Sequence, residues 1–147
     1  LRDKIGFVPQ KGILFSGTIR SNITYGAHDI SEEEIWKAAD IAQATEFISR
    51  LPEGLDTPIS QGGTNVSGGQ KQRLSIARAL AKKPEIYIFD DSFSALDFKT
   101  DAALRKALKD NIDKATMIIV AQRISTVVDA EQIIVLDEGR VVERGNT

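Results

Sequence analysis

"IYIFDDSFSALD", residues 86–97, runs from four apolar residues through two adjacent aspartates into a small polar turn. Its first part, Ile86 to Phe89, has the β-branched and aromatic make-up of a strand covered on both faces. The strand delivers Asp90 and Asp91 to its lip. Two carboxylates side by side repel each other and lose hydration there, so the pair either handles a cation or a proton, or is a solvated strand end. This stretch alone leaves both readings open.

Outward from it, the pattern is regular. Downstream, residues 99–112 place Ala103, Leu104, Ala107, Leu108 and Ile112 on one side of a helix, and "MIIV" at 117–120 is a second covered strand. Strand, helix, strand implies parallel pairing through a crossover. "QIIVLDEGRVVERG" then predicts a closing hairpin around Glu138 and Gly139. Upstream, "NVSGGQKQRLSIARALAKK" at 65–83 predicts a helix opened by the Ser67 and Gln70 capping pattern and ended before Pro84. "SEEEIWKAADIAQATEFISRL" at 31–51 predicts another, opened by Ser31 with Glu34 and ended by Pro52 and Gly54, and "KIGFV" at 4–8 a short strand stopped by Pro9.

With 147 residues, 41% of them hydrophobic, the chain can bury the core of a single domain. A net charge of -2 gives no general attraction to nucleic acid, and the absence of cysteine excludes disulfides and thiolate metal sites. His28, the only histidine, stands in the polar loop "YGAHD" and reads as a surface residue. The longest apolar runs fall far short of the roughly 20 residues a membrane span needs. The chain opens at Leu1 without a start methionine or signal peptide and stops straight after a strand, which reads as a piece of something longer.

Two glycines in the first turn of the 65–83 helix weaken it by about 1 kcal/mol each. Bare of side chains, Gly68 and Gly69 would let an anion such as phosphate reach the free N–H groups at the positive helix end. Close packing against another backbone would also call for them. The basic run Lys71, Arg73, Arg78, Lys82 and Lys83 reads as the solvated face of a helix whose Leu74, Ala77, Leu80 and Ala81 face the core.

With these residues together, the chain resembles the ATP-binding cassette family. "VSGGQ" at 66–70 is similar to its signature motif, "IYIFDD" to Walker B, "SALD" at 94–97 to the D-loop, and "VPQ" at 8–10 places Gln10 at the Q-loop. The order and spacing of these motifs carry the resemblance, which covers essentially the whole chain. "LFSGTIRSNITYG" at 14–26 and "LPEGLDT" at 51–57 resemble the exporter branch. The resemblance implies an α/β fold: a helical subdomain plus the later half of a P-loop-type ATPase core with a mainly parallel sheet. Residues 1–13 would be the Q-loop strand and loop, 14–83 the helical subdomain, and 84–147 Walker B, D-loop, switch segment and closing hairpin. No G-x-x-x-x-G-K-[ST] occurs, so the phosphate-cradling loop is expected to precede Leu1. This chain alone should hold no ATP in the family's manner, and its sheet should expose apolar surface.

By the same resemblance, Asp90 is the expected Mg²⁺ ligand, with Gln10 beside it. Asp91 stands where the family's general base is usually glutamate, and Gln122 where its switch histidine is usual. Aspartate is shorter by one methylene, roughly 1.5 Å of reach, and glutamine cannot become cationic. Gln61, before the signature, stands where exporters often carry glutamate. The expected site is catalytic Asp91, Gln122 and Gln10, with Ser67, Gly68, Gly69, Gln70, Ser94 and Asp97 on nucleotide and ATP and Mg²⁺ as cofactors. An aspartate base with a glutamine switch resembles one subunit of heterodimeric bacterial multidrug exporters. There a second, different cassette is the partner, a transmembrane domain docks through the Q-loop region at the cytoplasmic face of the cell membrane, and nucleic acid is not a partner. The alternatives are a soluble ATPase of this family acting on nucleic acid or ribosomes, and a non-catalytic nucleotide-binding regulatory cassette.

Overall fold

Three of the apolar runs pair side by side. In the computed structural model, which describes residues 4–27, 29–112, 115–121, 133–137 and 140–145, β1 (Ile5–Val8), β4 (Ile86–Asp90) and β5 (Thr116–Val120) form one parallel sheet in the order β1-β4-β5. Phe7, Ile88 and Ile118 share a row across it, and Val8, Phe89 and Ile119 the next. Between β1 and β4 the chain makes β2 (Gly17–Thr18), α1 (Ile19–Thr24), α2 (Glu32–Ile41), α3 (Thr45–Arg50), β3 (Pro58–Ile59) and α4 (Gly68–Ala81). After β4 come α5 (Phe98–Asn111) and the crossover into β5; β6 (Ile133–Asp137) and β7 (Arg140–Gly145) form an antiparallel pair, irregular between Val135 and Leu136. The expected α/β architecture with a parallel sheet is therefore observed. The predicted turn residues Glu138 and Gly139, like His28 and Gln122, lie outside the described residues.

Three expectations are corrected. The strands are not covered on both faces: Val8, Tyr87 and Phe89 are buried, whereas Phe7 is 56% exposed, Ile118 51% and Val120 53%. An apolar run needs a cover on each side, and among the described residues only one side carries it. The bare side is the exposed apolar surface expected of the sheet.

Residues 31–51 do not form one helix. The Gln43 backbone takes a left-handed turn (φ 64), Gln43 N–H donates to Asp40 O and Ala44 N–H to Ala39 O, the double bond pattern that closes a helix end. The Gln43 side chain donates to Asp40 O and Ile41 O as well, which lets a residue other than glycine hold the turn. Helical spacing of the alanines on both sides concealed the break.

The third correction concerns α4. Its predicted core positions Leu74, Ala77, Leu80 and Ala81 are buried, but so are Gln72, Ser75, Ile76 and Ala79, so little of the helix is solvated. Of its basic run only Lys83, just past the helix, is exposed. Arg73 lies over the Phe47 ring at 4.8 Å and donates to Gln43 O at 2.9 Å, and Arg78 lies over Phe15 at 5.1 Å and donates to Asn22 O at 2.9 Å. A flat guanidinium stacks on rings and satisfies carbonyls at once, which permits it inside where an ammonium would be costly. Burial lowers the pKa of both groups. No helix among the described residues is long and apolar enough to cross a membrane.

Candidate functional site

Strand β4 ends at Asp90, whose side chain is exposed, and the chain turns sharply at Asp91, which takes a left-handed backbone (φ 49) that aspartate tolerates better than most residues. The turn is held on all sides. Asp91 N–H donates to Val120 O at 2.7 Å, Ser94 Oγ donates to Asp91 O at 3.0 Å, and the fully buried Ser92 hydroxyl donates to Val8 O at 2.6 Å. Gln10, two residues past β1, reaches across and donates from Nε2 to Asp91 Oδ2 at 3.3 Å. The structure thus brings the expected residues Gln10, Asp91 and Ser94 together at the carboxyl ends of β1 and β4, and Asp90 adjoins them in the chain. Val120, two residues before Gln122, closes the same corner.

The signature segment lies at the start of α4. Ser67 Oγ accepts from Gln70 N–H and Gln70 Oε1 accepts from Ser67 N–H, each at 3.1 Å, so the predicted reciprocal cap is present. This leaves the Gly68 and Gly69 amides as the donors that a helix start cannot satisfy internally. A Cβ built on Gly68 would meet nothing within 4 Å, and one on Gly69 would make ordinary contact at 3.5 Å with Ala95 O. Packing against the described residues therefore requires neither glycine. No hydrogen bond or ion pair joins Ser67–Gln70 to Asp90 or Asp91 among the described residues, and Ala95, four residues past Asp91, passes beside Gly69. Asp97 caps α5 by accepting from Thr100 N–H at 2.7 Å, a bond that holds its carboxyl below the usual range.

Whether these residues fit a divalent cation follows from the donor set. Among the described residues no group of three or more His, Asp or Glu side chains converges. One or two carboxylates suit Mg²⁺ brought in with phosphate oxygens and waters, and would not cage the bare ion.

Several contributors escaped the sequence reading. Gln72, fully buried in α4, donates from Nε2 to Pro9 O at 3.0 Å while its Oε1 has no partner among the described residues; a buried unpaired acceptor of this kind costs about 1–3 kcal/mol. Continuing the Ile76 and Leu80 stripe one turn back would have found it. Arg78 and the buried Asn22 line or support a groove of about 420 Å³ walled by Phe7, Pro9, Tyr25, Ser75 and Lys82. Nothing in their spacing announces that groove.

Comparison with known proteins completes the description. The family model described as "ABC transporter" matches residues 1–94. An uncharacterized ABC transporter ATP-binding protein of Bacillus subtilis (strain 168), YfiB, is 50% identical over 145 residues, which is 99% of this chain and 25% of that protein. ABC transporter B family member 21 of Arabidopsis thaliana is 44% identical over 146 residues, 99% of this chain and 11% of that one. Among solved structures, a bacterial Atm1-family ABC exporter with ATP bound superposes with a TM-score of 0.94 at 43% identity, over 99% of this chain and 26% of that chain. The chain spans about a quarter or less of the length of the relatives it matches. With the family model covering most of the chain and the motif residues seated as described, the chain belongs to the ABC transporter family.

Proposed function

We propose that this chain is part of the ATP-binding domain of an exporter, and that its signature segment completes an ATP site on a second, different cassette while its own Walker site turns over slowly. The observation that carries this reading is the open start of α4. The Ser67 and Gln70 cap leaves the Gly68 and Gly69 amides without a partner inside the helix, and a Cβ on Gly68 would meet nothing within 4 Å among the described residues. A helix start built this way suits a phosphate delivered from outside the chain. The bound-ATP exporter whose structure this chain resembles is in keeping with that ligand.

On its own side, Asp90 would hold Mg²⁺ through water, and Asp91 would take a proton from the attacking water. Mg²⁺ bound with the nucleotide supplies neutralisation of charge on the transferring phosphate oxygens. Gln10 donates to Asp91 and so fixes the carboxylate. The shorter aspartate reaches less far than glutamate, and Gln122 offers no cation, so this site gives up part of the about 10²- to 10⁴-fold that a well-placed base supplies. The groove beside Pro9, apolar at Phe7 and Tyr25 and cationic at Arg78 and Lys82, is the surface we assign to a helix of the transmembrane domain.

The test is Gly68→Asp in the full-length protein assembled with its partner. A carboxylate at the phosphate position should abolish most ATPase activity although Asp90, Asp91 and Gln10 are untouched. Undiminished turnover overturns the assignment.

A further inference from the structure

We propose that Arg73 is a positioning residue that sets the open start of α4 in register with the turn at residues 95–97, and so fixes where the partner's ATP meets the helix amides. The inference rests on the reading of the signature segment given above. Arg73 stands one turn inside α4, and its side chain folds back along the helix toward the start, as long helical side chains do. Its Nε donates to Gly69 O at 3.3 Å, its Nη1 donates to Gln43 O at 2.9 Å, and its guanidinium carbon lies 4.8 Å from the centre of the Phe47 ring. One flat group thus joins three stretches of the chain: the start of α4, the turn that ends α2, and α3.

Helix stability does not call for this placement. A cation near a helix start opposes the macrodipole, whose positive end lies there, and a guanidinium withdrawn from water loses hydration, which lowers its pKa. The ring, the two carbonyls and the carboxylate charges of Asp97 and Glu46 offset this by favouring the charged form. Asp97 links Arg73 to the turn after β4. It caps α5 through Thr100 N–H at 2.7 Å, and Ala95, two residues before it, passes the α4 start with its carbonyl oxygen 3.5 Å from where a Cβ on Gly69 would stand. The other end is fixed as well, since Gln43 holds its own left-handed turn by donating to Asp40 O and Ile41 O. Lysine does not replace the group, because one ammonium cannot stack flat on Phe47 and reach both carbonyls. Packing against the ring alone would be served by methionine.

The experiment uses the full-length protein assembled with its partner cassette. Steady-state ATPase reads the site that turns over, with Mg²⁺-ATP as substrate and Mg²⁺-ADP as competitive inhibitor. Only ATP carries the terminal phosphate that the α4 start would hold. Arg73→Met should raise KM for Mg²⁺-ATP at least about fivefold, about 1 kcal/mol at 1.4 kcal/mol per tenfold, and leave the inhibition constant of ADP within about twofold of the parent. Loss of folded protein would lower turnover and leave KM unchanged, so the split separates positioning from damage. Phe47→Leu should raise KM in the parent and add nothing in the Arg73→Met background, because it acts through the guanidinium. An unchanged KM in Arg73→Met, or an equal rise for ADP, overturns the proposal; so does an equal effect of Phe47→Leu in both backgrounds. Should Arg73→Met fail to assemble, Arg73→Lys carries the same expectation and the same overturning result. Gly68→Asp separates the two levels: if it leaves turnover undiminished, the signature assignment fails and this inference with it; if it abolishes turnover while Arg73→Met keeps the parent's KM, this inference alone fails.

Discussion

Replacing Gly68 by alanine should raise stability and lower activity, a pairing that ordinary damage to a fold does not produce. The stability half follows from the empty space beside Gly68: a methyl there meets no heavy atom within 4 Å, and the residue has no positive φ to lose. Alanine in place of a compatible helical glycine contributes roughly 0.5–1 kcal/mol, mostly by narrowing the unfolded chain. For a unit of this size that is about 2–3 °C in melting temperature. The activity half follows from what the space is for. A methyl standing off the phosphate from the helix amides costs one charge-assisted hydrogen bond, about 1.5–3 kcal/mol, or about 10- to 100-fold in turnover. Calorimetry of the nucleotide-free 147-residue chain reads the first half, and steady-state phosphate release from the full-length assembly carrying the same substitution reads the second. A lowered melting temperature would mean that an unseen neighbour packs on Gly68. A raised melting temperature with unchanged turnover would show that nothing approaches the helix start.

Other outcomes follow from the same geometry. If the chain works beside a second, different cassette as proposed, Asp91→Asn in the full-length assembly should leave steady-state ATPase within about twofold of the parent, whereas the amide of the partner's base should cost about 10²-fold or more; equal losses would make Asp91 a working base. The 147-residue chain by itself should release no phosphate from Mg²⁺-ATP above background, and turnover near the median enzyme scale of about 10 s⁻¹ would contradict this. Burial pushes the Tyr87 phenol up to about 12. Because the fold favours the neutral form, that contribution is complete below pH 10, the ordinary phenol value, and is lost as pH rises from 10 to 12. In a Tyr25→Phe background the phenolate absorbance should therefore rise near pH 12; ionisation near 10 with native circular dichroism would refute the burial argument.

Local signals carried much of this structure. The Ser67 and Gln70 cap, the α4 and α5 stripes, the end of β4 at the two aspartates and the parallel pairing of β4 with β5 follow from spacing and capping rules that act over a few residues. The Gln43 break escaped because its cause is a side chain bonding back to Asp40 and Ile41 in place of a glycine. The basic run misled because charge pattern describes solvated faces, whereas Arg73 and Arg78 point inward onto Phe47 and Phe15, rings far away in the chain. Gln10 meeting Asp91 could be expected only from the resemblance, since their separation of 81 positions leaves no local trace. Gln72 was legible in principle as a polar residue on an apolar stripe, but Pro9 O, its partner, lies 63 positions away.

The parallel ladder between β1 and β4 has a kinetic consequence. Two strands that lie side by side in the sheet are separated in the chain by the whole of α1 to α4, so their pairing closes a long loop before any ladder bond compensates the lost entropy. Contacts of such separation slow folding. The intervening helices, by contrast, meet mainly one another, with α4 packed on α1 and α2. We expect them to gather first and to shorten the effective loop, with α4 then drawing β1 against β4 through its contact with β1. Lengthening the exposed turn after α1 should then change the folding rate little, because closure entropy grows only as the logarithm of length, while loosening α4 from α1 should slow sheet formation directly.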